Sequence, residues 1–208
     1  FAREHAWIRN YLDTHGAKHI AIWQGESGFP SWFPKDHWLY PKGVCQEGWQ
    51  SQANQAKWLL RRWLTDRRAG FAVSSFYQTS DIVRRYSMGE TSRSHPAEHG
   101  VLNGWTHEPK MSYFALGHYN ALFAAAKADP SVSVVVTPEK DAGVKTLAFA
   151  MRGCGGGSAR CFVYYAPFDF SLSYTGKVYE PRTDATVSVP RDCAFRDPVL
   201  VDPLRGGV

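Results

Sequence analysis

The sequence has 208 residues and a mass of 23.4 kDa, with 44% hydrophobic and 21% charged residues. These values are typical of a folded globular protein, and they exclude a collagen-like or wholly disordered chain. No apolar run approaches the roughly 20 residues that cross a bilayer, so the sequence predicts a soluble protein with no membrane partner. The net charge of +5 arises before residue 129, since residues 129–208 carry equal numbers of basic and acidic side chains.

The first 129 residues alternate between helical and strand patterns. In chain order they predict a helix at 2–15, a buried strand at 19–24, a helix at 51–68, a strand at 71–77 and a helix from Pro109 to Phe123. This alternation is typical of an α/β protein with a parallel sheet. Four arginines on the second helix supply the most concentrated basic charge, namely Arg61, Arg62, Arg67 and Arg68. Such a cluster is typical of a solvated helix face, and no zinc-finger or helix-turn-helix spacing occurs, so no nucleic-acid partner is predicted.

Residues 130–208 have a different pattern of short β-rich segments separated by Gly, Pro and Asp turns. The segments are 132–137, 146–151, 161–166, 186–189 and 199–201. They predict an all-β domain, a small β-sandwich, after the α/β part.

Four cysteines are present without a C-x-x-C pair, which argues against a zinc ribbon or a thioredoxin-type site. Cys154 and Cys161 flank a glycine-rich turn and could close it as a disulfide, while two free thiols are the alternative. The compartment stays open, with a secreted or periplasmic location favoured. Because the sequence starts with Phe1 inside a helical pattern, we expect it to come from a longer chain.

An ordered series of motifs in the α/β part resembles a known enzyme family. A strand ends in GESG at 25–28, an aromatic loop follows, and GVL at 100–102 precedes PKMSYFA at 109–115. The series resembles the last two βα units of a clan A retaining glycoside hydrolase, a TIM-type (β/α)8 barrel. Family 39 and family 30 relatives also carry a β-sandwich after the barrel, which matches residues 130–208. The resemblance implies an incomplete barrel at 1–129 and an accessory domain at 130–208.

The same resemblance implies a role for Glu26. In these enzymes a Glu at the end of the seventh strand is the nucleophile, and Glu26 ends a predicted parallel strand, where barrel enzymes place their chemistry. Without the resemblance, a strand-end Glu that caps a backbone or pairs with an arginine is the alternative. The family places its acid/base Glu after an Asn at the end of the fourth strand, and this sequence contains no Asn-Glu dipeptide. The chain is therefore expected to carry half of a two-carboxylate site, with the earlier βα units supplied from elsewhere.

Aromatic side chains crowd the loop after Glu26. Aromatic faces stack on pyranose rings, so the candidate sugar-binding residues are Trp32, Trp38 and Trp49 of this loop and Tyr77 and Gln78 at the end of the second strand. Anchoring of the loop to the barrel is the alternative for each aromatic. Asp81 is expected to order a loop, and Lys110 to be a solvated or helix-end charge.

No metal or cofactor is predicted. His95 and His99 are four residues apart, which suits a metal pair only on a helix, and Pro96 favours a loop.

Three functions therefore compete. The leading one is the C-terminal portion of a retaining β-glycosidase, completed by copies of the chain or by a second chain that supplies the missing βα units. The second is a non-catalytic carbohydrate-binding or assembly protein derived from such an enzyme. The third is an unrelated α/β protein with an open sheet, in which Glu26 is structural.

Overall fold

The structure is a computed structural model that describes residues 2–31, 52–82, 99–104, 106–138, 147–155, 159–165, 185–188, 199–204 and 206. Within these ranges the chain forms three helices and seven strands. In chain order they are α1 (Ala2–Thr14), β1 (Trp23–Gln24), α2 (Gln52–Ala69), β2 (Val73–Ser74), α3 (Met111–Phe123), β3 (Lys127–Ala128), β4 (Val135–Pro138), β5 (Leu147–Cys154), β6 (Ala159–Tyr165) and β7 (Ala185–Ser188).

The segment from β1 to β2 is a parallel βαβ unit. Trp23 lies opposite Val73 and Gln24 opposite Ser74, with α2 as the crossover. α2 ends just before Gly70. The φ of Gly70 is +95°, which glycine adopts at little steric cost, and the Gly70 N–H donates to the Asp66 carbonyl. Both strands are shorter than predicted because, among the described residues, each pairs only with the other.

One apolar cluster joins α2, α3 and the antiparallel strands. Trp63 of α2 packs on Tyr119 of α3 with ring centroids 5.3 Å apart. Apolar side chains of β5 and β6 complete the cluster on the other side, among them Phe149, Met151 and Val163. Burial of this cluster sets the position of α2 and therefore of the strands at its two ends.

The region after α3 contains two antiparallel sheets within the described residues. One has the order β3, β5, β6 and the other pairs β4 with β7. Four of the five predicted β segments are present, β3 is an addition, and residues 199–201 form no strand. Assignment of these sheets to a β-sandwich, of the βαβ unit to a barrel, and of the boundary to residue 129 all stay predictions.

Cys154 and Cys161 form a disulfide across the turn between β5 and β6. Their Cα atoms lie 6.2 Å apart, within the range that a disulfide spans. Of the two alternatives that the sequence leaves open, the structure has the bridge.

Non-reducing peptide mapping is expected to recover Cys154 and Cys161 in one linked peptide pair. Closing so short a loop stabilises the fold by about 2 to 3 kcal/mol, so Cys161→Ser is expected to lower the free energy of unfolding by that amount. Two alkylated thiols at these positions, in protein purified under oxidising conditions, would contradict the bridge.

Candidate functional site

The ends of β1 and β2 are held together by a short ladder of polar contacts. Beyond the paired strands, the Tyr77 N–H donates to the Ser27 carbonyl at 2.8 Å and the Ser75 N–H donates to the Gln24 carbonyl at 3.0 Å. Side chains add to it, because the Ser75 hydroxyl donates to the Gly25 carbonyl at 2.7 Å. The residues on either side of Glu26 are therefore fixed to the second strand.

Glu26 itself projects from this ladder. Its side chain is exposed, and it makes no hydrogen bond or ion pair with any residue that the structure describes. The structural alternative for Glu26, in which its side chain caps a backbone group or pairs with an arginine, is thus not seen among those residues. The carboxylate is available to a ligand.

Tyr77 and Gln78 lie at the same end of the sheet as Glu26, as the sequence predicts. Both are half-buried. The Gln78 N–H donates to the His99 carbonyl, and the Val101 N–H donates to the Gln78 carbonyl. The end of β2 therefore also contacts residues 99–104, which we call the strip before α3. Trp32, Trp38 and Trp49 lie outside the described residues.

A buried ion pair lies in the segments that follow the two strands. Lys110 Nζ is 2.6 Å from Asp81 Oδ1 and donates to the Ser31 hydroxyl at 2.8 Å. The same Asp81 oxygen accepts the Gly100 N–H at 2.9 Å. Lys110 lies at the N-terminal end of α3, as the helix-end alternative has it, but it is not solvated, because its side chain is only 4% exposed and pairs with the buried Asp81. Asp81 orders the loops, as expected.

Gln55 links this ion pair to α2. It is fully buried, and its amide nitrogen donates to the carbonyls of Phe29 and Gly100 at 3.0 and 3.1 Å. Its amide oxygen accepts from the Ser112 hydroxyl of α3 at 2.8 Å. One side chain therefore ties the loop after β1, the strip before α3 and both helices together.

Two of the arginines on α2 are also not purely solvated, contrary to the sequence-based expectation. Arg62 is buried and pairs with Asp66, and Asp66 also accepts from the Ser74 hydroxyl at 2.6 Å. Arg67 donates to the Tyr119 hydroxyl and to the Ala126 carbonyl. These arginines attach α2 to its neighbours because their charged groups find internal partners.

The polar residues of α2 could have been detected in the sequence. Gln55, Leu59, Arg62 and Asp66 follow one another at helical spacing of four, three and four, so polar residues share a stripe with apolar ones. A polar side chain on a buried stripe requires a partner. The pattern signals buried hydrogen bonds without naming the partners, which lie in other segments.

Glycines allow the segment after β2 to pack closely against the segments after β1 and before α3. A Cβ at Gly100 would overlap the backbone between Ser80 and Asp81, and one at Gly104 would overlap the Asp81 carbonyl. At Gly28 a Cβ would meet the Tyr77 carbonyl and the His99 ring. The loops after the two strands can pack this closely only without side chains at these points.

His99 lies beside the ends of β1 and β2, next to Tyr77 and Gly28. Its ring centroid is 5.9 Å from that of Tyr77, and Nδ1 is the single buried side-chain nitrogen or oxygen of the described residues without a hydrogen-bond partner. Burial lowers the pKa of the His99 imidazole below its ordinary value. Asp81 and Glu26 oppose that shift and Lys110 adds to it. Burial of the ring therefore favours the neutral form of the imidazole.

A separate cavity of about 700 Å³ lies between α2, β6 and residues 199–204. Its walls are mainly apolar, and it includes none of the site residues predicted from the sequence. This cavity is therefore separate from the candidate site at the strand ends.

Within the described ranges, no group of three or more His, Cys, Asp or Glu side chains is arranged to hold a metal ion. His95 lies outside them. None of the helices described is long and apolar enough to cross a membrane.

No protein-family model matches this chain, and no curated protein matches it.

Proposed function

We propose that this chain forms the nucleophile side of a retaining glycoside hydrolase site, with Glu26 as the nucleophile. The observation that carries the proposal is the position of Glu26, exposed and unpaired among the described residues, directly after a parallel strand. A carboxylate that attacks an anomeric carbon must be ionised, unshielded and held in place. Exposure leaves the Glu26 carboxylate unshielded, and the hydrogen bonds of Ser75 and Tyr77 to its neighbours hold it in place.

A second carboxylate is needed to protonate the departing oxygen. Asp81 does not suit this role, because its side chain is buried and its Oδ1 already accepts from Lys110 and from the Gly100 N–H. General acid assistance is worth about 10²- to 10⁴-fold, so the chain by itself is expected to lack turnover of unactivated oligosaccharides. We infer that a second chain or another copy supplies the acid.

The first half of the reaction can be tested without that acid. A 2-deoxy-2-fluoro glycoside with a dinitrophenolate leaving group needs no proton, since the carbon–oxygen bond breaks with its electron pair on a stable phenolate. Glu26 would form the ester bond to the anomeric carbon as that bond breaks, and the ester would persist. We expect slow addition of one glycosyl mass to the chain, measured by intact mass spectrometry, with the label on Glu26.

The matched control is another exposed glutamate. Glu108 is exposed, and among the described residues its side chain bonds only to the nearby Thr106, so Glu108→Gln is expected to keep the labelling that Glu26→Gln abolishes. Labelling that persists in Glu26→Gln, or that maps to a different carboxylate, would overturn the proposal.

A non-catalytic carbohydrate-binding or assembly protein is the second candidate. The observation in its favour is that Asp81, a carboxylate in the loop after β2, is engaged in a buried ion pair. Sugar binding without any labelling of Glu26 by activated glycosides would favour this function over catalysis.

A further inference from the structure

His99 packs against the segments that follow β1 and β2. Its ring lies between Tyr77 and Gly28, and Gly28 follows Glu26 by two residues. A Cβ placed on Gly28 would be 3.0 Å from His99 Cδ2, so the glycine is what admits the ring. The imidazole therefore contacts the same short segment after β1 that carries the candidate nucleophile.

The two ring nitrogens of His99 have different surroundings. Nδ1 is buried and has no hydrogen-bond partner. Nε2 is not among the buried unpartnered atoms and makes no hydrogen bond to a described residue, which leaves it at the accessible edge of the ring.

This difference selects a tautomer. A buried N–H without an acceptor is rarer and more costly than a buried bare acceptor, so the proton of the neutral ring belongs on Nε2. An accessible Nε2–H is a hydrogen-bond donor without a protein acceptor among the described residues. Sugar hydroxyls and ring oxygens are acceptors for such a group.

We propose that His99 is a substrate-contacting residue at the ends of β1 and β2, whose Nε2–H donates a hydrogen bond to an oxygen of a sugar bound beside Glu26. This inference rests on the proposed function, since it places the sugar against the Glu26 carboxylate. It adds a contact from the segment that precedes α3. Neither the motifs nor the aromatic loop pointed to it.

The tautomer is tested first, on the full chain without ligand. Long-range proton–nitrogen NMR spectra of ¹⁵N-histidine-labelled protein separate the two tautomers from the charged ring, and His99→Phe assigns the signal. We expect a neutral ring protonated on Nε2 at pH 7. A proton on Nδ1, or a charged ring at that pH, would overturn the inference.

Ligand contact is tested next, with 1-deoxy iminosugars of gluco, galacto and xylo configuration as probes. Their ammonium groups pair with a carboxylate, so binding is expected to be lost in Glu26→Gln. Binding is also expected to shift the His99 ¹⁵N signal and to weaken about tenfold in His99→Phe, which keeps the aromatic contact with Tyr77 but has no donor. His99→Gln, whose amide nitrogen reaches a similar position, is expected to restore part of the affinity. The control His19→Phe changes an exposed histidine before β1 and is expected to bind like the wild type.

The outcomes separate the two proposals. If an iminosugar binds in a Glu26-dependent way but His99→Phe binds as tightly as His19→Phe, the role of His99 is overturned and the proposed function stands. If no iminosugar binds and activated glycosides leave Glu26 unlabelled, the proposed function is overturned and the role of His99 with it.

Discussion

Replacement of Lys110 by methionine is expected to lower the free energy of unfolding by about 3 to 5 kcal/mol. Methionine keeps most of the length of the side chain but removes the charge that Asp81 and Ser31 contact. The Asp81 carboxylate, only 6% exposed, would then be buried with the Gly100 N–H as its remaining described donor. Urea denaturation followed by circular dichroism measures the loss.

Two variants give this measurement its controls. Asp13→Asn removes the acid of the partly exposed Arg9–Asp13 pair and is expected to cost about 0.5 kcal/mol or less. Adding Asp81→Asn to Lys110→Met should recover part of the loss, because asparagine is neutral and its amide oxygen still accepts from Gly100. A Lys110→Met cost as small as that of Asp13→Asn would show that the buried ion pair is not important for stability.

Association in solution is the second large effect that we expect. In the described residues β1 and β2 pair only with each other, so each has an unpaired edge. Their apolar side chains are open to solvent, with Trp23 68% and Val73 40% exposed, and so is Trp7 of α1 at 69%. Light scattering at low micromolar concentration should therefore give a mass above the 23.4 kDa of one chain.

A charge placed on this surface should weaken the association. Trp23→Lys is expected to lower the measured mass, whereas Val135→Lys is not, although Val135 is also an exposed strand residue at 53%. A monodisperse species of 23.4 kDa with a cooperative melt would contradict the prediction. It would mean that the chain covers these strands by itself.

Local sequence patterns predicted the helices better than the strands. The apolar stripe of α2 predicted a helix at 51–68, and the structure has Gln52–Ala69. The strands expected at 19–24 and 71–77 appear only as Trp23–Gln24 and Val73–Ser74. Helical hydrogen bonds form within one segment, but strand bonds need a neighbour that the local pattern does not specify.

The positions of the site residues could likewise be predicted only where chain order specifies them. Placement of Glu26, Tyr77 and Gln78 at one end of the sheet follows from chain order, because the carboxyl ends of parallel strands meet at one edge. The pairing of Lys110 with Asp81 did not follow, since 29 residues separate them and a lysine before a helix is usually solvated. The position of His99 at the strand ends was also not predicted, because the residues that it contacts lie in segments distant in the chain.

The sequence by itself determined the order of the elements from α1 to α3, the parallel crossover between the two strands and the position of a glutamate at a strand end. Periodicity and chain order suffice for these features, since they depend on nearby residues. The tertiary structure alone decided which polar groups are buried together: Lys110 with Asp81, Gln55 with three separate segments, and His99 with one nitrogen covered and one accessible. Burial and hydrogen bonding are properties of segments distant in the chain that meet only when α2, α3 and β5 share a core.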